Sequence, residues 1–211
     1  MDEGLKNLIE KAEQGDVKSM VMVGDCYNRG IHTEKDDAMA HIYYKMAADA
    51  GHNKAAFMVA VDYLNGIGVS KDKKTGVRYL QSAADNGVAY AQYLLASMYH
   101  MGEIGVLLGG TQKAMKYYEM AARQGHAKSQ IELADLICNT KRTKYSVDDM
   151  VFWLVCAYLH GLNKEALEES ENARKRLNAL VDSGIPGGKP WVEKIITQVK
   201  EQYTSYLRNP F

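Results

Sequence analysis

A chain of 211 residues that is 46% apolar and 25% charged carries enough hydrophobic content to fold rather than stay disordered. Its 26 Lys and Arg balance 26 Asp and Glu, with the two signs interspersed; that argues against nucleic acid or an anionic membrane as the main partner, since both need a concentrated positive face. The three cysteines, Cys26, Cys138 and Cys156, are odd in number and irregularly spaced, so free thiols are expected rather than a disulfide framework or a zinc site.

The elements come as helix pairs. Residues 5–15 hold half a pair: Leu5, Leu8, Ile9 and Ala12 fall at helical spacing and read as an orphan second helix that starts a stack. The first full pair has an A helix over Val17–Asn28 and a B helix over Asp37–Ala50. The second joins Lys54–Leu64 to Thr75–Asn86, the third Ala89–Met101 to Gln112–Gln124, and the fourth Lys128–Ile137 to Val147–Leu159. The orphan helix and the first three B helices close on Gly15, Gly51, Gly87 and Gly125, residues able to take the left-handed conformation that stops a helix. The steps between these glycines are 36, 36 and 38 residues, a period that predicts a solenoid. In the fourth pair His160 holds the slot and Gly161 follows one residue late, so that helix is expected to stop there.

Several columns repeat for packing reasons. Ser19, Ala55, Ala91 and Ser129 form one; Gly24, Ala60, Ala96 and Ala134 form another. Small side chains there let an A helix approach its B partner, and Val23, Val59, Leu95 and Leu133 between them are expected to fill the core. Tyr27, Tyr63, Tyr99 and Ile137 on the A helices, with Tyr43, Tyr79, Tyr117 and Phe152 on the B helices, also stand at core spacing. The third intra-pair loop is unusually apolar, with Ile104, Val106, Leu107 and Leu108. The fourth holds a basic run, Lys141, Arg142 and Lys144, expected to be a solvated surface. Beyond Gly161 one amphipathic helix is expected over 163–181. A turn-rich break follows, then a final helix with Pro190 at its first position and Trp191, Ile195, Val199 and Tyr203 four residues apart. These two helices are expected to cap the stack.

The recurring residues resemble the Sel-one-like repeat (SLR) family, relatives of the tetratricopeptide repeat. The second unit carries Ala55-x-x-x-Val59-Ala60-x-x-Tyr63, then Gly66-Ile67-Gly68-Val69-x-x-Asp72, then Tyr79 and Ala83-Ala84-Asp85-Asn86-Gly87. The third carries Ala91-Gln92, Leu95-Ala96, Tyr99, Gly102, Ala114, Tyr117-Tyr118 and Ala121-Ala122-Arg123-Gln124-Gly125. The resemblance covers roughly residues 5–161 and has the longer step, not the 34 of tetratricopeptide units. It implies an all-α, right-handed α/α superhelix. The organisation is then a repeat domain over 1–161 (half repeat 5–15, repeats near 16–51, 52–87, 88–125 and 126–161) and two capping helices over 162–211. It implies an adaptor or scaffold and no reaction.

Motifs that could carry chemistry are poor fits. Ser70-Lys71-Asp72-Lys73 and Lys74-Thr75-Gly76 match two pieces of the penicillin-recognising set. In those enzymes the pieces come from distant elements, whereas here they are consecutive on one loop. Gly187-Gly188-Lys189 resembles the end of a phosphate loop, but Pro190 replaces the required Ser or Thr. The histidines are scattered, with His52 and His126 each following a closing glycine. Asn209-Pro210-Phe211 matches a tripeptide that some eukaryotic adaptor domains recognise, but so short a match is weak.

A geometric argument goes further. By analogy with tetratricopeptide units, A-helix positions unused in packing line the concave face. The candidate protein- or peptide-binding residues are then Lys18, Met22, Arg29, Lys54, Phe57, Met58, Val61, Tyr90, Tyr93, Leu94, His100, Met101 and Lys128. Apolar residues in the middle repeats suit a peptide or an amphipathic helix; the alternative is that tight curvature of the stack, or the terminal helix folding back into the groove, buries them internally. The expected function is a non-enzymatic binding scaffold. The alternatives are a self-assembling module working through the C-terminal helix and, less favoured, an enzyme acting on β-lactams or peptidoglycan. No catalytic residue, metal site or cofactor is expected, and the partner is expected to be a protein or peptide. The first residues include Asp2, Glu3 and Lys6 and no long apolar run, so a cytoplasmic location is expected, with non-classical secretion left open.

Overall fold

A computed structural model describes residues 2–105, 109–140, 144–163, 167–182 and 188–208. Among them are eleven helices and no strand: α1 (Glu3–Glu13), α2 (Val17–Arg29), α3 (Asp37–Asp49), α4 (Asn53–Asn65), α5 (Lys73–Asp85), α6 (Ala89–His100), α7 (Gly110–Arg123), α8 (Ala127–Asn139), α9 (Val147–Asn163), α10 (Leu167–Asp182) and α11 (Gly188–Arg208). The fold is an all-α solenoid. It divides into two compact units, Met1–Leu95 and Ala96–Phe211.

In the N-terminal unit α1 packs on α2, α2 on α3, α3 on α4 and α4 on α5. The expected columns fill its core: Val23, Val59 and Leu95 have no exposed surface, and Ser19, Ala55 and Ala60 are buried beside them. Gly24 is small for a visible reason, since a Cβ there would lie 2.7 Å from the ring of Tyr44. The turn glycines Gly15, Gly51 and Gly87 have φ of 94°, 91° and 89°. Each B helix therefore stops where a left-handed residue lets the chain reverse into the next A helix.

The loop between α4 and α5 shows why the Gly-x-Gly pattern is needed. Gly66 caps α4 in the left-handed conformation. Gly68, at φ 65°, lies so close to the start of α3 that a Cβ would stand 2.0 Å from the Asp37 carbonyl oxygen. One repeat earlier the same position is His32, the one non-glycine with positive φ among the described residues. Its imidazole meets the carboxylate of Asp2, the N-cap of α1. Thus α1 takes the place of a preceding B helix, as its glycine-closed end implies.

In the C-terminal unit α7 packs on α8 and α8 on α9; α10 packs on α9 and α8, and α11 on α9 and α10. Leu133 and Ala134 are buried as expected. Two boundaries differ from the sequence reading. Helix α9 runs past Gly161 to Asn163, because no glycine stands in the register where the other B helices turn. Helix α11 begins at Gly188, which places Pro190 third rather than first; the position still lies in the first turn, where backbone N–H groups have no helical partner.

The aromatic columns meet the expectation in part: Tyr27, Tyr43, Tyr117 and Ile137 are buried. Tyr27–Tyr43, Tyr63–Tyr79 and Tyr99–Tyr117 form one stacked A–B pair per repeat, with centroids 6.0, 6.1 and 6.1 Å apart. Tyr63, Tyr79, Tyr99 and Phe152 are only half-buried. The deeper B-helix column is the next one: Tyr44, Leu80, Tyr118 and Trp153. A phenol stacked at the rim of a helix pair keeps its hydroxyl within reach of polar groups, as when Tyr79 Oη donates to Asp49 Oδ1 over 2.8 Å. Within the apolar loop Ile104 is half-buried, and residues 106–108 lie outside the described residues.

Candidate functional site

In the N-terminal unit the predicted face is carried by α2, α4 and the start of α6. Lys18, Met22 and Arg29 are exposed on α2, and Lys54 is exposed on α4. Phe57, Met58 and Val61 are half-buried on α4, as are Tyr93 and Leu94 on α6. Met22 is 51% and Tyr90 65% exposed, so neither is spent on the core. The Phe57 and Tyr90 rings stack 6.4 Å apart at 29°, joining the A helices of successive repeats. Met58 leans on the core cluster around Val23 and Val59, so part of its surface belongs to packing.

Two acids on these A helices turn inward, which the sequence reading missed. Tyr44 Oη donates to Asp25 Oδ1 over 2.7 Å, and His41 Nδ1 donates to Asp62 Oδ2 over 2.9 Å. Both donors stand on α3. Burial, reinforced by the bond to Asp25, pushes the Tyr44 phenol far above its usual range. Burial likewise raises the Asp62 carboxyl, with the bond from His41 pulling the other way. A signal was available. Asp62 shares its column with Cys26, Met98 and Leu136, and His41 shares its column with Val77, Met115 and Met150. Two polar residues each break an apolar column, and they break it toward each other.

In the C-terminal unit His100 is exposed and meets the Tyr118 ring edge-on at 6.5 Å, and Met101 is 62% exposed. The α8 positions are largely engaged within the chain. Lys128 Nζ is 3.9 Å from Glu169 of α10, Asp135 is ion-paired with Arg176 of α10, and Ile131 is buried with Ala157 and Ala173. Lys144 is exposed as expected and also reaches Glu119 at 3.4 Å; Lys141 and Arg142 lie outside the described residues. Burial opposes the charge on Glu119, yet hydrogen bonds from Tyr145 and Arg123 outweigh it and hold the carboxyl below its ordinary value.

The chemical motifs resolve into helix starts. Asp72 caps α5 by accepting from the Thr75 N–H over 3.1 Å. Gly76 is the close-approach residue, where a Cβ would stand 2.9 Å from Leu64 and 3.1 Å from the Ala60 carbonyl oxygen. His52 and His126 are N-caps of α4 and α8: each accepts through Nδ1 from a backbone N–H three residues on, at 3.1 and 3.2 Å. Among the described residues no group of three or more His, Cys, Asp or Glu could hold a metal ion, and no helix is long and apolar enough to cross a membrane. Gly187 and Asn209-Pro210-Phe211 lie outside the described residues, as do the side chains of His160 and Tyr203.

Helix pairs recurring at a fixed step, closed by left-handed glycines and packed on their neighbours, define an α/α-solenoid repeat protein. The Sel1 repeat model matches residues 17–52, 53–88 and 89–126. That is more than half of the chain, and the chain belongs to the Sel1 repeat family, whose repeats generally serve protein interaction. It is similar to a protective antigen of uropathogenic Escherichia coli displaying an SLR fold: 23% identity, TM-score 0.72, covering 95% of this chain and 40% of that one. It is also similar to a Sel1 repeat protein from Oxalobacter formigenes: 26% identity, TM-score 0.66, covering 77% of this chain and 48% of that one. An immunity protein of Pseudomonas aeruginosa is more distant, at 18% identity and TM-score 0.50, covering 95% and 72%. The chain spans less than half the length of the first two. No curated protein matches it by sequence.

Proposed function

We propose that this chain is a non-enzymatic scaffold that binds a protein or peptide on the A-helix face of its N-terminal unit. One observation carries the reading. Bulky apolar side chains stand exposed or half-buried at these A-helix positions, while Val23, Val59 and Leu95 on the same helices are wholly buried in the core. Met22 and Tyr90 are more than half exposed, and Tyr90 stacks on Phe57. Full burial of one such side chain is worth ~1.5–3 kcal/mol, so three or four anchors support micromolar binding after ordering costs.

Met22→Glu with Tyr90→Glu tests it. Both changes fall on exposed side chains, so the helical circular dichroism is expected to persist while recovery of the partner in cross-linked pull-downs falls at least tenfold. Equal recovery would remove this face as the binding site. Self-assembly through the last helix draws less support, because Val192, Ile195 and Val199 are already buried on α11, which packs on α9 and α10. In the same reading α10 and α11 are an end piece covering the last repeat.

A further inference from the structure

The charge on this face is segregated in a way the chain's overall neutrality hides. Over residues 2–95 carboxylates outnumber Lys and Arg by thirteen to eleven. Yet the exposed charges of α2 and α4 are Lys18, Arg29 and Lys54, all positive. The two acids on those helices, Asp25 and Asp62, are drawn inward by Tyr44 and His41. The carboxylate at the entrance to α2, Asp16, is spent as its N-cap and accepts from the Ser19 N–H over 2.9 Å. Part of α6 belongs to the same unit, and residues 89–95 carry no charge. Lys18 and Lys54 hold one position in successive repeats, 36 residues apart, and Tyr90 holds it in the third. None of Lys18, Arg29 and Lys54 makes an ion pair among the described residues. The side chains beside them are Met22, Phe57 and Tyr90.

The geometry points to a specific class of partner: an acidic peptide segment carrying bulky apolar side chains, its carboxylates on Lys18, Lys54 and Arg29 and its apolar groups on Met22, Phe57 and Tyr90. This rests on the scaffold reading above and adds the sign of the ligand. An exposed basic rim contributes mainly to selectivity and to capture rate, and its effect weakens with salt. A basic partner is disfavoured here because Lys18, Arg29 and Lys54 would repel it, while Asp62 is buried and Asp25 is half-buried and bonded to Tyr44.

Three synthetic 20-residue peptides test this. They share one pattern of Leu and Phe every three to four residues and differ only in their remaining positions, filled with Glu, Gln or Lys. Fluorescence anisotropy with the whole chain is expected to give micromolar binding for the Glu peptide and at least tenfold weaker binding for the other two. Lys18→Glu with Lys54→Glu should weaken the Glu peptide at least tenfold and improve the Lys peptide, and Tyr90→Ala should weaken the Glu peptide in the wild-type charge background. Three outcomes overturn the proposal separably. If all three peptides bind alike and all respond to Tyr90→Ala, the charge selection is wrong and the scaffold face stands. If the Glu peptide binds but ignores Tyr90→Ala and the double Lys variant, the face itself is wrong. If no peptide binds, both fall.

Discussion

His41 and Asp62 are more than a polar pair in a helical core. Each replaces an apolar side chain that the other repeats carry at the same position, and the two replacements meet at 2.9 Å between α3 and α4. Removing one partner of a buried pair leaves an uncompensated polar group, whereas replacing both with apolar residues of similar volume is often neutral. His41→Met or Asp62→Leu alone is therefore expected to cost about 3 kcal/mol, and the double variant to recover most of it. Urea denaturation of all four proteins measures the coupling; additive losses would refute it. Gly68 makes a second residue-scale case. Its left-handed φ and the 2.0 Å approach of an added Cβ to the Asp37 carbonyl oxygen leave no room for a side chain. Gly68→Ala should cost about 1–3 kcal/mol, seen as a lower denaturation midpoint. The equivalent exchange at Gly51, where a Cβ meets nothing within 4 Å, carries only the backbone penalty and should cost less.

Among the elements, the A helices solve a shared problem in two ways. The N-terminal N–H groups of α2 are capped by Asp16, and those of α4 and α8 by His52 and His126. An imidazole accepts only when neutral. Burial first, then Lys128, lowers the His126 pKa, against an opposing pull from Glu169. The folded state therefore binds this proton less tightly than the unfolded chain. Its contribution is full above the ordinary histidine pKa and is lost as pH falls toward the depressed one. Thermal midpoints should drop as pH is lowered from about 7 to about 5, through the ordinary histidine range. His126→Asp, which copies the Asp16 cap, should reduce that drop; an unchanged slope would show that the cap does not titrate. The incoming A helix also serves the helix before it. Gln92 Nε2 donates to the Ala84 carbonyl over 2.9 Å and Gln130 Nε2 to the Ala122 carbonyl over 3.0 Å, adding a second donor to last-turn oxygens that already accept from the Gly87 and Gly125 N–H groups.

For the molecule as a whole, the helices that flank the repeats are held in different ways. In the N-terminal unit α1 packs as a B-type helix against α2, with Leu5 and Ala12 buried. In the C-terminal unit α10 lies on α8 and α9 with Ala173 and Leu177 buried, and its Glu169 and Arg176 meet Lys128 and Asp135. Removing α10 and α11 would uncover Ile131 and Ala157, which pack with Ala173. The shortened chain is expected to melt at lower temperature and bind a hydrophobic dye that the full chain does not. No dye binding and an unchanged midpoint would deny α10 a covering role.

Helix pairs, their step, their turns and their innermost columns were determined by the sequence alone, because 3.6-residue periodicity and left-handed glycines act within a single turn. Val23, Val59, Leu95 and Leu133 were readable as core for that reason. The direction of Asp25 and Asp62 was decided by tertiary structure, since each turns toward a donor about twenty residues away on α3. The engagement of Lys128 was decided in the same way, by a helix outside the repeats. Local rules assign a residue to a face, but which groups on that face keep their charge for a partner depends on what the neighbouring helix holds opposite them.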